Sequence, residues 1–320
     1  MRSTNAVSCL VLAAACGGAA WFEPVVVPAA DGGPFATVRA GAEPRPYVWP
    51  LCGPGGVPMT RDFPMGTRPG EAHDHPHHQS LWFAHGDVDG FDFWHGSGEQ
   101  ERLVPTSLYR AVIRNGGDER TEVDAGYDWT VGRDRVLLHE QRKLVFVDRG
   151  AWRAVDLVTR LRPAGARVTF GDTKEGTFAL RVHPALRVEG AIATGRLVDS
   201  EGREGRAAWG RRARWIDAHG TIDGAAVGVA IFDHPDNPRH PTWWHARTYG
   251  LLAANPFGRH DFEGAPDGAG DLVLEPGDEL VLRYRVVLHG AGWDRARLDA
   301  AWAEWAGAGG VSGGTDRRGR

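Results

Sequence analysis

Short stretches in which apolar and polar residues alternate, or in which β-branched residues dominate, recur along the chain between Gly, Pro and Asp turns. A period of two puts successive side chains on opposite faces, so these stretches read as antiparallel strands. The clearest run over residues 136–147 and 152–161. Asp148-Arg149-Gly150 between them supplies a turn and predicts a long hairpin. Further strands are expected at 167–170, 177–182, 225–232, 272–274 and 279–288. In the last, Leu280, Leu282, Tyr284 and Val286 share one face, and Val281, Arg283, Arg285 and Val287 take the other. One helix is predicted: Asp294 caps it, Leu298, Ala301, Trp302 and Trp305 recur at helical spacing, and Gly307 stops it. No heptad, tandem repeat or internal linker interrupts the pattern. The expected fold is an all-β antiparallel sandwich with one C-terminal helix. It forms a single domain over 21–308, followed by a Gly- and Arg-rich disordered tail over 309–320.

Composition agrees, with 42% hydrophobic and 24% charged residues, enough to fill a core. A net charge of −4 without a Lys/Arg stripe excludes a nucleic-acid partner. The first twenty residues differ. Arg2 precedes an apolar run over 6–15, and Ala13-Ala14-Ala15 leads into Cys16, the layout of a secretory signal. Leu12-Ala13-Ala14-Ala15-Cys16 also resembles a bacterial lipoprotein cleavage site with Cys16 as the lipid anchor. The run is too short for a transmembrane helix. The expected location is therefore secreted or lipoprotein, with a cytoplasmic protein whose first strand is buried as the alternative. Only Cys52 then remains in the folded body, in the turn-like Leu51-Cys52-Gly53-Pro54, where it reads as structural.

Histidine and tryptophan add candidate chemistry. The chain has 14 His and 13 Trp, many of them in a few short segments that suit either a thick core or flat faces for a ligand. The densest is Asp74-His75-Pro76-His77-His78-Gln79-Ser80-Leu81-Trp82. Pro76 biases His75 toward an extended backbone. His75 and His77 would then share a face roughly 7 Å apart, with Asp74 and His78 on the other. Two such imidazoles can divide general acid and base work near neutral pH. They can equally hold a divalent metal if a third ligand arrives. A second segment, 234–258, carries three prolines in its first half, which rule out regular structure there. His245 and Arg247 share a face of its extended part. Arg247 offers a fork for a carboxylate or vicinal hydroxyls, and Trp244 a surface for stacking. In a third segment Thr177, Ala179 and Arg181 share a strand face opposite Phe178 and Leu180. Lys174 and Glu175 precede it at a turn, from which Glu175 can act as a general acid or base. Arg61-Asp62 is a further charged pair beside a turn. No Gly-x-Ser-x-Gly elbow, phosphate loop, dinucleotide fingerprint or His-Glu-x-x-His occurs.

Several motifs together carry a resemblance. They are Arg45-Pro46-Tyr47-Val48-Trp49-Pro50, Asp74-His75-Pro76-His77-His78 with Leu81-Trp82, Asp87-Val88-Asp89-Gly90 with Asp92-Phe93-Trp94, Lys174-Glu175-Gly176, Ala208-Trp209-Gly210, and His234-Pro235 with Trp244-His245-Ala246-Arg247 and Asn255-Pro256-Phe257-Gly258. Over roughly residues 35–290 the chain resembles the bacterial PmoA-like family, whose label refers to methane oxygenase. The resemblance implies a mutarotase-like supersandwich and an association with carbohydrate catabolism. It implies that Arg61, Asp74, His75, His77, His78, Lys174, Glu175, Arg181, His245, Arg247 and Asn255 are the distinctive polar residues. Gln79-Ser80 stands where many relatives have Arg-Gly, which implies a different specificity.

Three readings follow. The first is an enzyme that hydrolyses or eliminates a sugar derivative. His75, His77, His245 and Glu175 serve as acid–base groups, Arg181 and Arg247 hold oxygens, and Trp82 and Trp244 stack on the ring. The second is a metal-dependent oxidoreductase with His75, His77 and His245 as ligands. The third is a non-catalytic sugar-binding protein at the cell envelope.

Overall fold

The hairpin expected around Asp148-Arg149-Gly150 is present: strands Arg135–Asp148 and Trp152–Pro163 pair antiparallel from Leu138↔Pro163 to Asp148↔Arg153. The structure is a computed structural model that describes residues 7–11, 22–42, 44–96, 100–115 and 118–307. Around this hairpin the described residues form a wide antiparallel sheet. Its spatial order is Val7–Val11, Glu101–Asn115, Asp118–Val131, Arg135–Asp148, Trp152–Pro163, Leu280–Gly290, Ala225–Asp233, Trp215–Ile222 and Arg196–Asp199. A narrower antiparallel sheet runs Trp243–Ala246, Leu251–Asn255, Gly176–Arg181, Leu81–His85, Tyr47–Leu51, Pro34–Arg39 and Val25–Pro28. Val168–Phe170 and Leu272–Leu274 make a separate ribbon.

The two sheets stack face to face, which makes the molecule a β-sandwich. Phe178 of the narrow sheet lies parallel to Tyr284 of the wide one at 5.0 Å. Phe35 meets Phe146 edge-on at 5.6 Å. Leu280, Leu282, Tyr284 and Val286 all point into this core, as their alternation predicts. Phe178 and Leu180 enter it too, whereas Ala179 faces out of the sandwich into a second buried cluster with Trp82, Trp94, Ala84, Leu251 and Ala253. The narrow sheet is thus covered on both faces.

The predicted helix is Arg295–Gly307, and Asp294 Oδ1 accepts from the Arg297 N–H at 2.9 Å. Leu298, Ala301, Trp302 and Trp305 pack on Trp215, Ala230, Phe232 and Val287, the outer face of the wide sheet. The expected leader is described only at Val7–Val11, a strand paired with Tyr109–Ile113. Cys16 and the tail over 309–320 lie outside the described residues. Cys52 is buried and free, and burial raises its thiol pKa. Among the described residues no helix is long and apolar enough to cross a membrane.

Candidate functional site

The registers of the narrow sheet align five residues in one row across five strands. Tyr47 pairs with Trp82, Trp82 with Ala179, Ala179 with Ala253, and Ala253 with His245. All five side chains leave the sandwich on its outer side, because alternate residues of each strand enter the core. The two alanines are buried in one cluster with Trp82 and Trp94, and the histidine loop folds over this side of the sheet. A cavity of about 260 Å³ results, lined by His75, His77, His78, His95, Glu175, His245, Arg247 and Tyr249. Segments far apart in the chain therefore meet at one place, with His75, His77, Glu175 and His245 around it.

The loop is not extended as Pro76 suggested. The His78 N–H donates to the His75 carbonyl at 3.0 Å, closing a turn with Pro76 at its second place, and His75 has φ 45°. Proline's fixed φ suits that turn position. The consequence is a stack: the His75 ring lies parallel to His78 at 4.8 Å and to Tyr249 at 5.2 Å, while His77 meets His78 edge-on at 4.4 Å.

Beneath the loop lies an ionic clamp. Buried Arg61 donates through Nη1 to Asp74 Oδ1 at 2.7 Å and to the Asp74 carbonyl at 2.9 Å. Its Nη2 donates to the His75 carbonyl at 2.8 Å. Buried Arg181 donates through Nη2 to Asp74 Oδ1 at 2.9 Å and through Nη1 to His78 Nδ1 at 3.0 Å, with Tyr249 4.4 Å from its guanidinium. Burial pushes the Asp74 carboxyl up, but Arg181 and the hydrogen bonds from His75 and Arg181 outweigh it and hold it below the ordinary value. His75 Nδ1–H donates to Asp74 Oδ2 at 2.8 Å. This fixes the orientation of a ring that is 41% exposed and leaves its Nε2 away from the clamp. Burial, then His77 and Arg181, push His78 far down, so it stays neutral and accepts from Arg181.

A second carboxylate–imidazole pair stands across His77. His95 Nδ1–H donates to Asp92 Oδ2 at 2.6 Å, and its ring lies 4.4 Å from His77. That hydrogen bond raises the His95 pKa, whereas burial, then His95 and Arg45, lower His77 to about 3. Arg45, fully buried with its pKa lowered by burial to about 9, donates to the His77 and Phe93 carbonyls and so pins this side of the loop. The opposite wall is built by His245. Its Nδ1–H donates to the Lys174 carbonyl at 2.9 Å, and its Nε2 accepts from Arg247 Nε at 3.1 Å. Burial and then Arg247 lower His245 to about 3. The Glu175 carboxylate lies 3.5 Å from Lys174 Nζ and 4.0 Å from His245 Nδ1.

Several expected contacts fall elsewhere. Trp82 is 2% exposed and lies under His78 at 5.3 Å, so it forms floor rather than a stacking face. Trp244, one residue from His245, points into the sandwich core and donates Nε1–H to the Ala213 carbonyl. Asn255 is buried; its Nδ2 donates to the Thr173 carbonyl and its Oδ1 accepts from the N–H groups of Phe257 and Gly258. Arg61, Asp74 and Arg181 hold the loop and each other. Lys174 pairs with Glu175 at the rim. The half-buried aromatic ring that does line the cavity is Tyr249. For His95 the sequence offers one signal, Asp92 three residues before it in Asp92-Phe93-Trp94, and for Tyr249 it offers none. His75, His77 and His245 do not suit a metal as they stand: both His245 nitrogens are engaged. Among the described residues no three His, Cys, Asp or Glu side chains are grouped to hold an ion.

Residues 26–303 match the model of a family of unknown function, DUF6807, and the chain belongs to that family. The PmoA-like label is not part of that match. No curated protein is a significant sequence match. Solved structures with a distant likeness include a GH36 alpha-galactosidase from Geobacillus stearothermophilus, at 13% identity and a TM-score of 0.37, covering 84% of this chain and 40% of that one. An alpha-galactosidase from Lactobacillus brevis aligns at 9% identity and a TM-score of 0.39, with the same two coverages of 84% and 40%. A beta-arabinopyranosidase aligns at 12% identity and a TM-score of 0.37, covering 82% of this chain and 40% of that one. The chain thus spans about 40% of the length of these enzymes, and at such scores the likeness carries no argument about the site.

Proposed function

We propose that this DUF6807 member is an enzyme that performs acid–base chemistry, hydrolysis or elimination, on a small sugar derivative held in the histidine-lined cavity. The observation that carries the reading is His75. A carboxylate that is itself clamped by two buried arginines fixes its Nδ1–H, and the exposed ring lines the cavity. An imidazole oriented in this way is the arrangement of a general base, because the anchor sets the tautomer and stabilises the imidazolium that forms. His95, raised in pKa by Asp92, is the matching proton donor across His77. Glu175 supports either step from the wall. His245 and His77, held neutral, shape the cavity; His245 positions Arg247 rather than exchanging protons. The volume of about 260 Å³ lies below the roughly 300–1,000 Å³ of drug-sized pockets, which suits one ring with its hydroxyls.

The test is turnover of a panel of glycosides and sugar acids followed by chromatography, with wild type, His75→Ala and His95→Ala compared. Each substitution is expected to lower the rate by about 10²–10⁴-fold and to leave the thermal transition nearly in place. Wild-type rates in both variants would remove these two residues from the chemistry. Ligand binding without product in the wild type would favour the non-catalytic sugar-binding reading.

A further inference from the structure

Among the described residues the carboxylates around the cavity are paired, whereas Arg247 is not. Asp74 is shared by Arg61 and Arg181, Asp92 is bound by His95, and the Glu175 carboxylate faces Lys174 at 3.5 Å. Arg247 has no carboxylate within ion-pair distance among the described residues. Its Nε–H is spent on His245 Nε2, and its guanidinium lies 5.1 Å from the Trp209 ring. Nη1 and Nη2 make no hydrogen bond to any other described residue, although Arg247 is half-buried and lines the cavity. The fork is also held still, because His245 is fixed in turn by the Lys174 carbonyl. A pre-oriented guanidinium with two unused donor nitrogens, four N–H in all, and no counter-charge is built to take an anion.

We infer that the substrate is an acidic sugar, a uronate or aldonate, whose carboxylate is gripped by the two Nη groups of Arg247. The inference rests on the sugar reading above and specifies it. A carboxylate fits better than a phosphate, since its single charge matches Arg247, which has no carboxylate partner among the described residues, and a second charge would add to that of Glu175 on the same His245 wall. With the acid group on Arg247, the ring extends toward the row of rings formed by Tyr249, His75 and His78, and its hydroxyls meet His75, His95 and Glu175.

Calorimetry and thermal shift on the full chain test this with glucuronate against glucose, galacturonate against galactose, gluconate, and glucose 6-phosphate. At least one acid is expected to bind about tenfold or more tightly than its neutral counterpart. Arg247→Gln should abolish that preference, and Arg247→Lys should restore only part of it, since the charge returns without the fork. Circular dichroism establishes that both variants fold. Equal affinity for acid and neutral sugars in the wild type, a preference that survives in Arg247→Gln, or a stronger preference for the phosphate would overturn the inference. The two proposals fail separately. His75-dependent turnover of neutral sugars alone would sink this one and leave the acid–base reading. Arg247-dependent binding of a uronate that is never converted would do the reverse.

Discussion

Asp74 is the residue on which the candidate site turns. It accepts from Arg61, Arg181 and His75, so one carboxylate joins the buried clamp to the exposed imidazole. Replacing it by Asn removes the charge between two buried guanidinium groups and loosens the tautomer of His75. Breaking a fully buried pair costs about 3–5 kcal/mol; Asp74 is more than one-third exposed, so a loss of about 2 kcal/mol is expected for Asp74→Asn. Turnover should fall by at least about tenfold even though His75 is still present. Urea denaturation and steady-state rates on the same preparation check both numbers. An Asp74→Asn protein as stable and as active as the wild type would show that the clamp has no energetic weight.

Elements divide the work between two outer faces. The narrow sheet offers the row Tyr47, Trp82, Ala179, Ala253 and His245 to the histidine loop, and the two alanines are fully buried there in one cluster with Trp82 and Trp94. A leucine at Ala179 would push on Trp82 and Trp94, the rings against which His78 lies. Overpacking should cost about 1–3 kcal/mol and abolish ligand binding together. The wide sheet gives its outer face to the helix Arg295–Gly307, where Leu298 is 1% exposed. Leu298→Ala should cost about 2–4 kcal/mol through the cavity it leaves, and it should leave ligand affinity unchanged because the whole sandwich separates the helix from the site. Denaturation midpoints and calorimetry on the two variants distinguish these outcomes. A helix-face substitution that weakens binding as much as Ala179→Leu would refute the separation.

At the scale of the whole molecule the buried histidines make stability depend on pH. Burial, first among the causes at each site, lowers His77 and His245 to about 3 and His85 and His183 to about 4, from 6.5. An unfolded chain takes up these protons as pH drops through about 6.5; the folded chain does not until about 3–4. The unfolded state therefore binds more protons in that window, and stability falls as the pH falls through it. His95 and His219, raised by Asp92 and Asp217, work the other way: their contribution is full below the unfolded pKa and is lost as pH rises through the raised one. These four depressions, together with that of His78, outweigh the two raised groups. Urea midpoints should drop steadily from about pH 7 to about pH 4, and a flat profile would mean that these imidazoles are hydrated.

Hydrophobic alternation and turn chemistry sufficed for the strands at 136–147, 152–161 and 279–288, for the hairpin turn at Asp148-Arg149-Gly150, and for the capped helix after Asp294. They also picked out the segments around His75, Glu175 and His245 as polar and chemically capable. Local sequence determines these features because strand period, turn residues and helix caps act over a few residues. The narrow sheet was far less legible. Gly176–Arg181 was expected, at 177–182, with its two faces as observed, but Leu81–His85, Trp243–Ala246 and Leu251–Asn255 are buried at every residue, so burial leaves no period-two trace in them. For that reason neighbours such as Trp244 and His245 could not be assigned to core or site by pattern. Which face received the loop, which tryptophans became floor or core, and which arginines were spent on Asp74 while Arg247 stayed unpaired were decided by the packing of strands distant in the chain. Burial and charge pairing at those residues are properties of the assembled sandwich, and no single segment contains them.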